Sequence, residues 1–130
     1  IVVRSDQVYS YNLVAAIDDA QGMTHVLRGA DLLETTPKQV YLQNILGLST
    51  PTYGHIPVAV NADGKKLSKQ HGAVDVLREH TPSQALLRAL AFLGQPIENG
   101  LSDAPPETIM QSALENWSLE LIPKVDSIKI

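Results

Sequence analysis

Lys65, Lys66, Ser68 and Lys69 crowd into five positions of the stretch NADGKKLSKQHGA, residues 61–73. Ammonium groups on flexible stems suit one task well: they follow phosphate oxygens while charge moves during phosphoryl or nucleotidyl transfer. The same residues also read as a solvated hairpin tip, since short lysine-rich turns are common protein surface. The spacing GxxxxGK[ST] of a P-loop is missing, which argues against a Walker-type NTPase. A second candidate is Arg28, just before Gly29, whose planar guanidinium could grip a carboxylate through two bonds or pair with Asp31 or Asp19 on a rim. His55 and His71 have no second ligand at a convincing spacing, so neither is assigned a metal or a catalytic role.

The elements that must hold these groups follow from the pattern of apolar residues. IVVRSDQVYSYNLV opens the chain as extended structure, and VYSYNLVAAID, residues 8–18, has the β-branched and aromatic content of a strand covered on both faces. DDAQGM turns the chain, and THVLRG is a second short strand ended by Gly29. A helix starts at Thr35 or Thr36 with Pro37 at its first position, sets Val40, Leu42, Ile45 and Leu46 on one face, and stops at Gly47. TYGHIPVAVN is the next strand and runs into the turn NADG, which places the lysines at a strand's carboxyl end, where open α/β sheets bind ligands. Strand, helix and strand make a βαβ-like unit.

Beyond the lysines the character is helical. PSQALLRALAFLG has Ser83 or Thr81 as its cap, PPETIMQSALENW has Pro106 near its start, and Trp117 is its packing anchor. The tail SLELIPKVDSIKI shows no period and is expected to be partly disordered.

Composition bounds the partners. The chain has 130 residues, 44% of them hydrophobic, enough for one domain or a piece of a larger one, and it opens on Ile1 as if inside a fold, so a fragment is expected. Ten Lys and Arg against fourteen Asp and Glu give a net charge of −4, which excludes a general polyanion binder and confines any nucleic-acid contact to local patches. With no cysteine there is neither a disulfide nor a thiolate metal site, and no apolar run approaches the ~18 to 20 residues of a membrane span. A cytoplasmic protein is expected.

The string KLSKQ, Lys66 to Gln70, resembles the KMSKS signature of class I aminoacyl-tRNA synthetases, and DGKKLSKQHGA is closest to the form carried by glutamyl-tRNA synthetases and their relatives. Upstream, YNLVAAIDD, THVLRGADLLETTPKQVYL and HIPVAVNADG are similar to family blocks in the same order, so the resemblance covers about residues 4–73. The turn DDAQGMT is one residue shorter than the family's usual one, a change that a loop absorbs more readily than a strand. The close of the chain, IMQSALENWSLELIP, and Gln70 resemble the truncated branch of the family, which lacks an anticodon-binding domain and glutamylates queuosine in the anticodon loop of tRNA(Asp).

The resemblance implies an α/β fold: residues 1–73 as the second half of a Rossmann-like catalytic domain, and residues 74–130 as a helical, stem-contact-like region. It implies glutamate, ATP with Mg²⁺, and tRNA as substrates. Lys69 would contact the ATP phosphates with Lys66 and Ser68 assisting, Val58, Ala59 and Leu67 would wall the adenine, and Arg28 and Tyr11 would meet the glutamate. For Tyr11 the rival is a sheet-core aromatic, for the adenine residues plain core packing. Asp31 would lie near the ATP or the RNA end, or cap a helix entry. The family's HIGH-like segment and its zinc site would both precede Ile1, so this chain would need the N-terminal half of the same enzyme to be active, and zinc would be found only there. The alternatives are a piece of an ordinary glutamyl-tRNA synthetase charging the 3′ end of tRNA(Glu), and a fragment that keeps the fold without chemistry.

Overall fold

Ser10 sets the first element. In the computed structural model, which describes residues 2–67 and 76–130, the Ser10 hydroxyl accepts from the backbone N–H of Leu13 and caps helix α1, Tyr11–Asp19. The strand expected over residues 8–18 is therefore replaced by a helix. A serine cap followed by Ala15 and Ala16, the latter fully buried, outweighs the β-branched residues around them. Extended structure survives only before it, as a bridge between Val3 and Tyr9.

Strand β1, His25–Gly29, lies where expected, and a 3-10 turn, Ala30–Leu32, leads to helix α2, Thr36–Ile45. Gly47, at φ +67°, ends α2: its N–H donates to Asn44 O and that of Leu48 to Gln43 O, a closure that needs a left-handed residue. The face of α2 turned inward is not the expected one. Thr36, Gln39 and Gln43 are buried, while Ile45 and Leu46 are exposed. Strand β2, Thr52–Ile56, pairs with β1, so strand, helix and strand follow in the order expected of a βαβ unit.

Pro57 splits the single strand expected over TYGHIPVAVN, because it has no N–H to continue a ladder. Strand β3, Val58–Val60, follows it. The chain divides here into two compact units, Ile1–His55 and Ile56–Ile130.

In the second unit, Thr81 rather than Ser83 caps helix α4, Pro82–Phe92, and forms a capping box with Gln84. A one-turn helix α3, Val76–Glu79, precedes it, and α5, Pro106–Asn116, packs against it. Leu90, Leu101, Ile109 and Ala113 make the core, with Leu86, Leu87 and Ala104 against it. The tail is ordered, contrary to expectation. Gln95 donates to the carbonyls of Leu93 and Ser118 and accepts from Ser118 N–H, and strand β4, Ser127–Lys129, runs parallel to β3 with Ala59 opposite Ile128. No helix among the described residues is long and apolar enough to cross a membrane.

Candidate functional site

Two residues of the polar face of α2 meet Arg28. Thr36, Gln39 and Gln43 recur at helical spacing, so one face of α2 carries a hydroxyl and two amides toward the first unit's interior. Arg28, on β1, has a side chain only 10% exposed. One terminal nitrogen donates to Gln39 Oε1 at 2.6 Å and the other to Thr36 Oγ1 at 2.6 Å. The guanidinium lies 4.4 Å from the centre of the Tyr53 ring, a cation–π contact from β2. A carboxylate neighbour, Asp19 Oδ2, stands 3.9 Å away. The pairing with Asp19 considered for Arg28 is thus present, but inside the unit rather than on a rim.

Each partner is itself held. Gln39 Nε2 donates to Asn12 Oδ1 at 3.3 Å, and Gln43 Nε2 donates to Ala16 O and to the Tyr53 hydroxyl, which donates in turn to Asp19. The Thr36 hydroxyl directs its proton to Leu32 O and accepts from Arg28. It can then only accept from His55 Nε2, 2.8 Å away, which puts the imidazole hydrogen on that nitrogen. Burial first, and the Arg28 charge second, hold the His55 pKa below its usual value, so the ring stays neutral. Burial, above all, pushes the Tyr53 hydroxyl up. Arg28 Nε and Gln43 Oε1 are buried without a hydrogen-bond partner.

The arrangement fixes a cation mainly by neutral oxygens. Amide and hydroxyl acceptors align the guanidinium without adding negative charge, and Asp19, its ion-pair partner, lies beyond hydrogen-bond distance and also accepts from Tyr53. Such a group can attract an anion.

The other expected residues fall as follows. Tyr11 is the first residue of α1 and 60% exposed, so it is not a sheet-core aromatic. Asp31 sits in the 3-10 turn, which has no side-chain cap. Lys65 and Lys66 begin the return arm of a hairpin after β3. Gly64, at φ +78°, closes the turn onto Asn61, Lys66 bridges back to Val60, and Leu67 N–H donates to Ala59 O. Val58 and Ala59 are successive strand residues and face opposite sides. Ala59 borders a recess of about 420 Å³ with Ala85, Arg88, Phe92 and Ile128; Val58 and Leu67 do not. Ser68, Lys69 and His71 lie outside the described residues. Among the described residues no three His, Asp or Glu side chains gather closely enough to hold a metal ion.

Sequence reasoning missed Thr36, Gln39, Gln43 and Tyr53 and gave His55 no task. The signal was present as a polar stripe at positions 36, 39 and 43 of a helix read for its apolar residues alone.

Comparison with known proteins gives the following. Residues 1–129 match the family described as tRNA synthetases class I (E and Q), catalytic domain. The glutamyl-Q tRNA(Asp) synthetase of Thiobacillus denitrificans is 46% identical over 124 residues, 95% of this chain and 41% of that protein. That of Pseudomonas syringae pv. syringae is 39% identical over 130 residues, 99% of this chain and 44% of that protein. The chain spans about two-fifths of the length of these relatives. Among solved structures, the glutamate-tRNA synthetase of Elizabethkingia anophelis superposes with a TM-score of 0.69 at 22% identity, over 99% of this chain and 30% of that one. At that identity the likeness shows the fold alone.

Proposed function

Because the chain belongs to the catalytic-domain family of class I tRNA synthetases for glutamate and glutamine, we propose that the protein containing it activates glutamate with ATP and passes the glutamyl group to queuosine in the anticodon loop of tRNA(Asp). The observation that carries this reading is the sustained similarity, along nearly the whole chain, to relatives named glutamyl-Q tRNA(Asp) synthetase. In this reading residues 1–73 belong to the catalytic domain, residues 74–130 form its stem-contact-like extension, and the protein works in the cytoplasm.

The amino-acid half of the reaction falls to Arg28 and Tyr11. A buried guanidinium held by Gln39 and Thr36 presents a positive charge to a glutamate carboxylate. Tyr11 offers an exposed hydroxyl one residue from Asn12, itself tied to Gln39. An oxygen of the glutamate α-carboxylate attacks the α-phosphorus of ATP, the bond to the bridging oxygen breaks, and pyrophosphate leaves. Lys66, on the hairpin's return arm, and Lys69 and Ser68 beyond it stabilise the phosphate charge. Ala59, Val58 and Leu67 border the adenine, and Asp31 lies toward the ATP or the RNA. Magnesium enters with ATP as part of the substrate.

The test offers the full-length protein radiolabelled glutamate with either queuosine-containing tRNA(Asp) or unmodified tRNA(Glu). Label on the queuosine tRNA is expected, with adenylate formation independent of tRNA. Label at the 3′ end of tRNA(Glu) and none on the queuosine tRNA would transfer the assignment to an ordinary glutamyl-tRNA synthetase.

A further inference from the structure

The guanidinium of Arg28 has an unusual set of partners for a buried cation. Both terminal nitrogens donate at 2.6 Å to uncharged side chains of one helix, Gln39 and Thr36, three residues apart. Those partners are themselves fixed: Gln39 by Asn12, Thr36 by Leu32 O and by His55 Nε2 at 2.8 Å. Gln39 is fully buried and Thr36 is 8% exposed, so neither is a solvated polar surface residue. Two charged partners in their places would hold the arginine equally firmly and cancel its charge. A buried donor also remains on Arg28, since Nε has no partner.

We propose that Thr36 and Gln39 are positioning residues for amino-acid binding: they fix the plane of Arg28 through neutral oxygens so that its charge stays available to the carboxylate of an amino dicarboxylic acid. This rests on the glutamate role given to Arg28 above. His55 belongs to the same device, because its Nε2–H occupies the remaining acceptor site of the Thr36 hydroxyl and leaves that oxygen in one orientation. The helix that carries the device also explains itself. Its inward face is polar because it is built around a charge, and its apolar residues are the ones left over.

Charge and geometry are separable, and one near-isosteric change tests each. Gln39→Glu keeps the shape and the acceptor for Arg28 and adds an anion against it, while giving up the donor to Asn12. Thr36→Val keeps the shape and removes the hydroxyl, whereas Thr36→Ser restores it. In the full-length protein, measured by ATP–pyrophosphate exchange, Gln39→Glu and Thr36→Val are expected to raise the glutamate KM by roughly ten- to a hundredfold, the range set by hydrogen bonds to charged groups. The ATP KM should stay within about twofold of wild type in both, well under the tenfold that one charged hydrogen bond carries. Thr36→Ser should return the glutamate KM close to wild type. Arg28→Lys is the reference: a point charge cannot reproduce the guanidinium plane, so its glutamate KM rises as well. If Arg28→Lys raises that KM while Gln39→Glu and Thr36→Val leave it unchanged, the positioning role falls and the glutamate role of Arg28 stands. An unchanged KM in Arg28→Lys overturns both. A matched worsening of glutamate and ATP KM in Thr36→Val, not reversed by Thr36→Ser, marks a merely structural role and overturns the proposal too.

Discussion

The unit Ile56–Ile130 buries Leu90, Leu101, Ile109 and Ala113, whereas the unit Ile1–His55 buries Thr36, Gln39 and Gln43 and, of its described apolar residues, only the small Ala16 and Pro51. The contrast is one of directionality. An apolar core is held by the area removed from water and tolerates small displacements, because that force has no preferred direction. A polar centre around Arg28 is held by donors matched to acceptors, and each lost partner leaves a buried group unpaired. The first arrangement supplies stability; the second supplies a charge in a fixed place. Substitutions should therefore sort by unit, with stability alone moving in the second and amino-acid affinity moving as well in the first.

The strongest way to break this comparison is Ile109→Ala. Ile109 is fully buried at the contact of α4 and α5, so the truncation leaves a cavity and should cost about 2–5 kcal/mol. Hydrogen-exchange protection of the α5 amides in the full-length protein reads that loss locally. The glutamate KM should not move. A tenfold KM change with α5 protection intact would mean that the second unit also shapes amino-acid binding.

A smaller effect is expected from Gln43→Leu in the first unit. Near the end of α1 the Ala20 N–H turns to Ile17 and Asp18 carbonyls, and Gln43 Nε2 donates to Ala16 O instead. Leucine fills the space but supplies no donor, and an unsatisfied buried carbonyl costs about 1–3 kcal/mol. The low end is expected, because Gln43 Oε1 is a buried acceptor without a partner and is removed by the same change. Thermal denaturation measures it, and a Tm equal to or above wild type would show that the Ala16 contact contributes nothing.

How much of this was legible in the sequence follows the same division. The helices of the second unit declare themselves through apolar periodicity, and Thr81 and Gln84 through the capping pattern. The blocks around KLSKQ were readable because they are short strings of chemistry rather than of packing. In the first unit, α1 was misread because Val8, Tyr9, Tyr11 and Val14 carry strand preferences, while the Ser10 cap that overrides them is a single hydroxyl. The stripe Thr36, Gln39, Gln43 was invisible to a search for apolar faces, since its partners, Arg28 for the first two and Ala16 O and Tyr53 for the third, are brought near only by the fold. Strand β4 was missed because three residues are too short for any period and its partner, β3, is nearly seventy positions away.

The smallest expected effect, and the one that sharpens the comparison most, is a dependence on pH confined to the first unit. His55 has its pKa lowered by burial and by the Arg28 charge, so the folded state resists a proton that the unfolded chain accepts near pH ~6.5. Below that value the unfolded state binds more protons than the folded one, and stability must fall as pH falls. The loss begins at the unfolded value and stops growing once pH has passed below the lowered folded one. Tyr53 works at the other end. Its pKa is raised, chiefly by burial, so the folded chain keeps a proton that the unfolded chain releases, and stability falls as pH rises beyond ~10. The core formed by Leu90, Leu101, Ile109 and Ala113 contains no titratable side chain. Protection factors of the Gln39 and Gln43 amides in α2, followed from about pH 7.5 to about pH 5.5 across the unfolded histidine value, should decline more than those of α5. His55→Gln, which keeps a donor for Thr36 and cannot titrate, should flatten that decline. An equal decline in both helices, or one that survives His55→Gln, would show that the imidazole beside Thr36 is not the group that couples the first unit to pH.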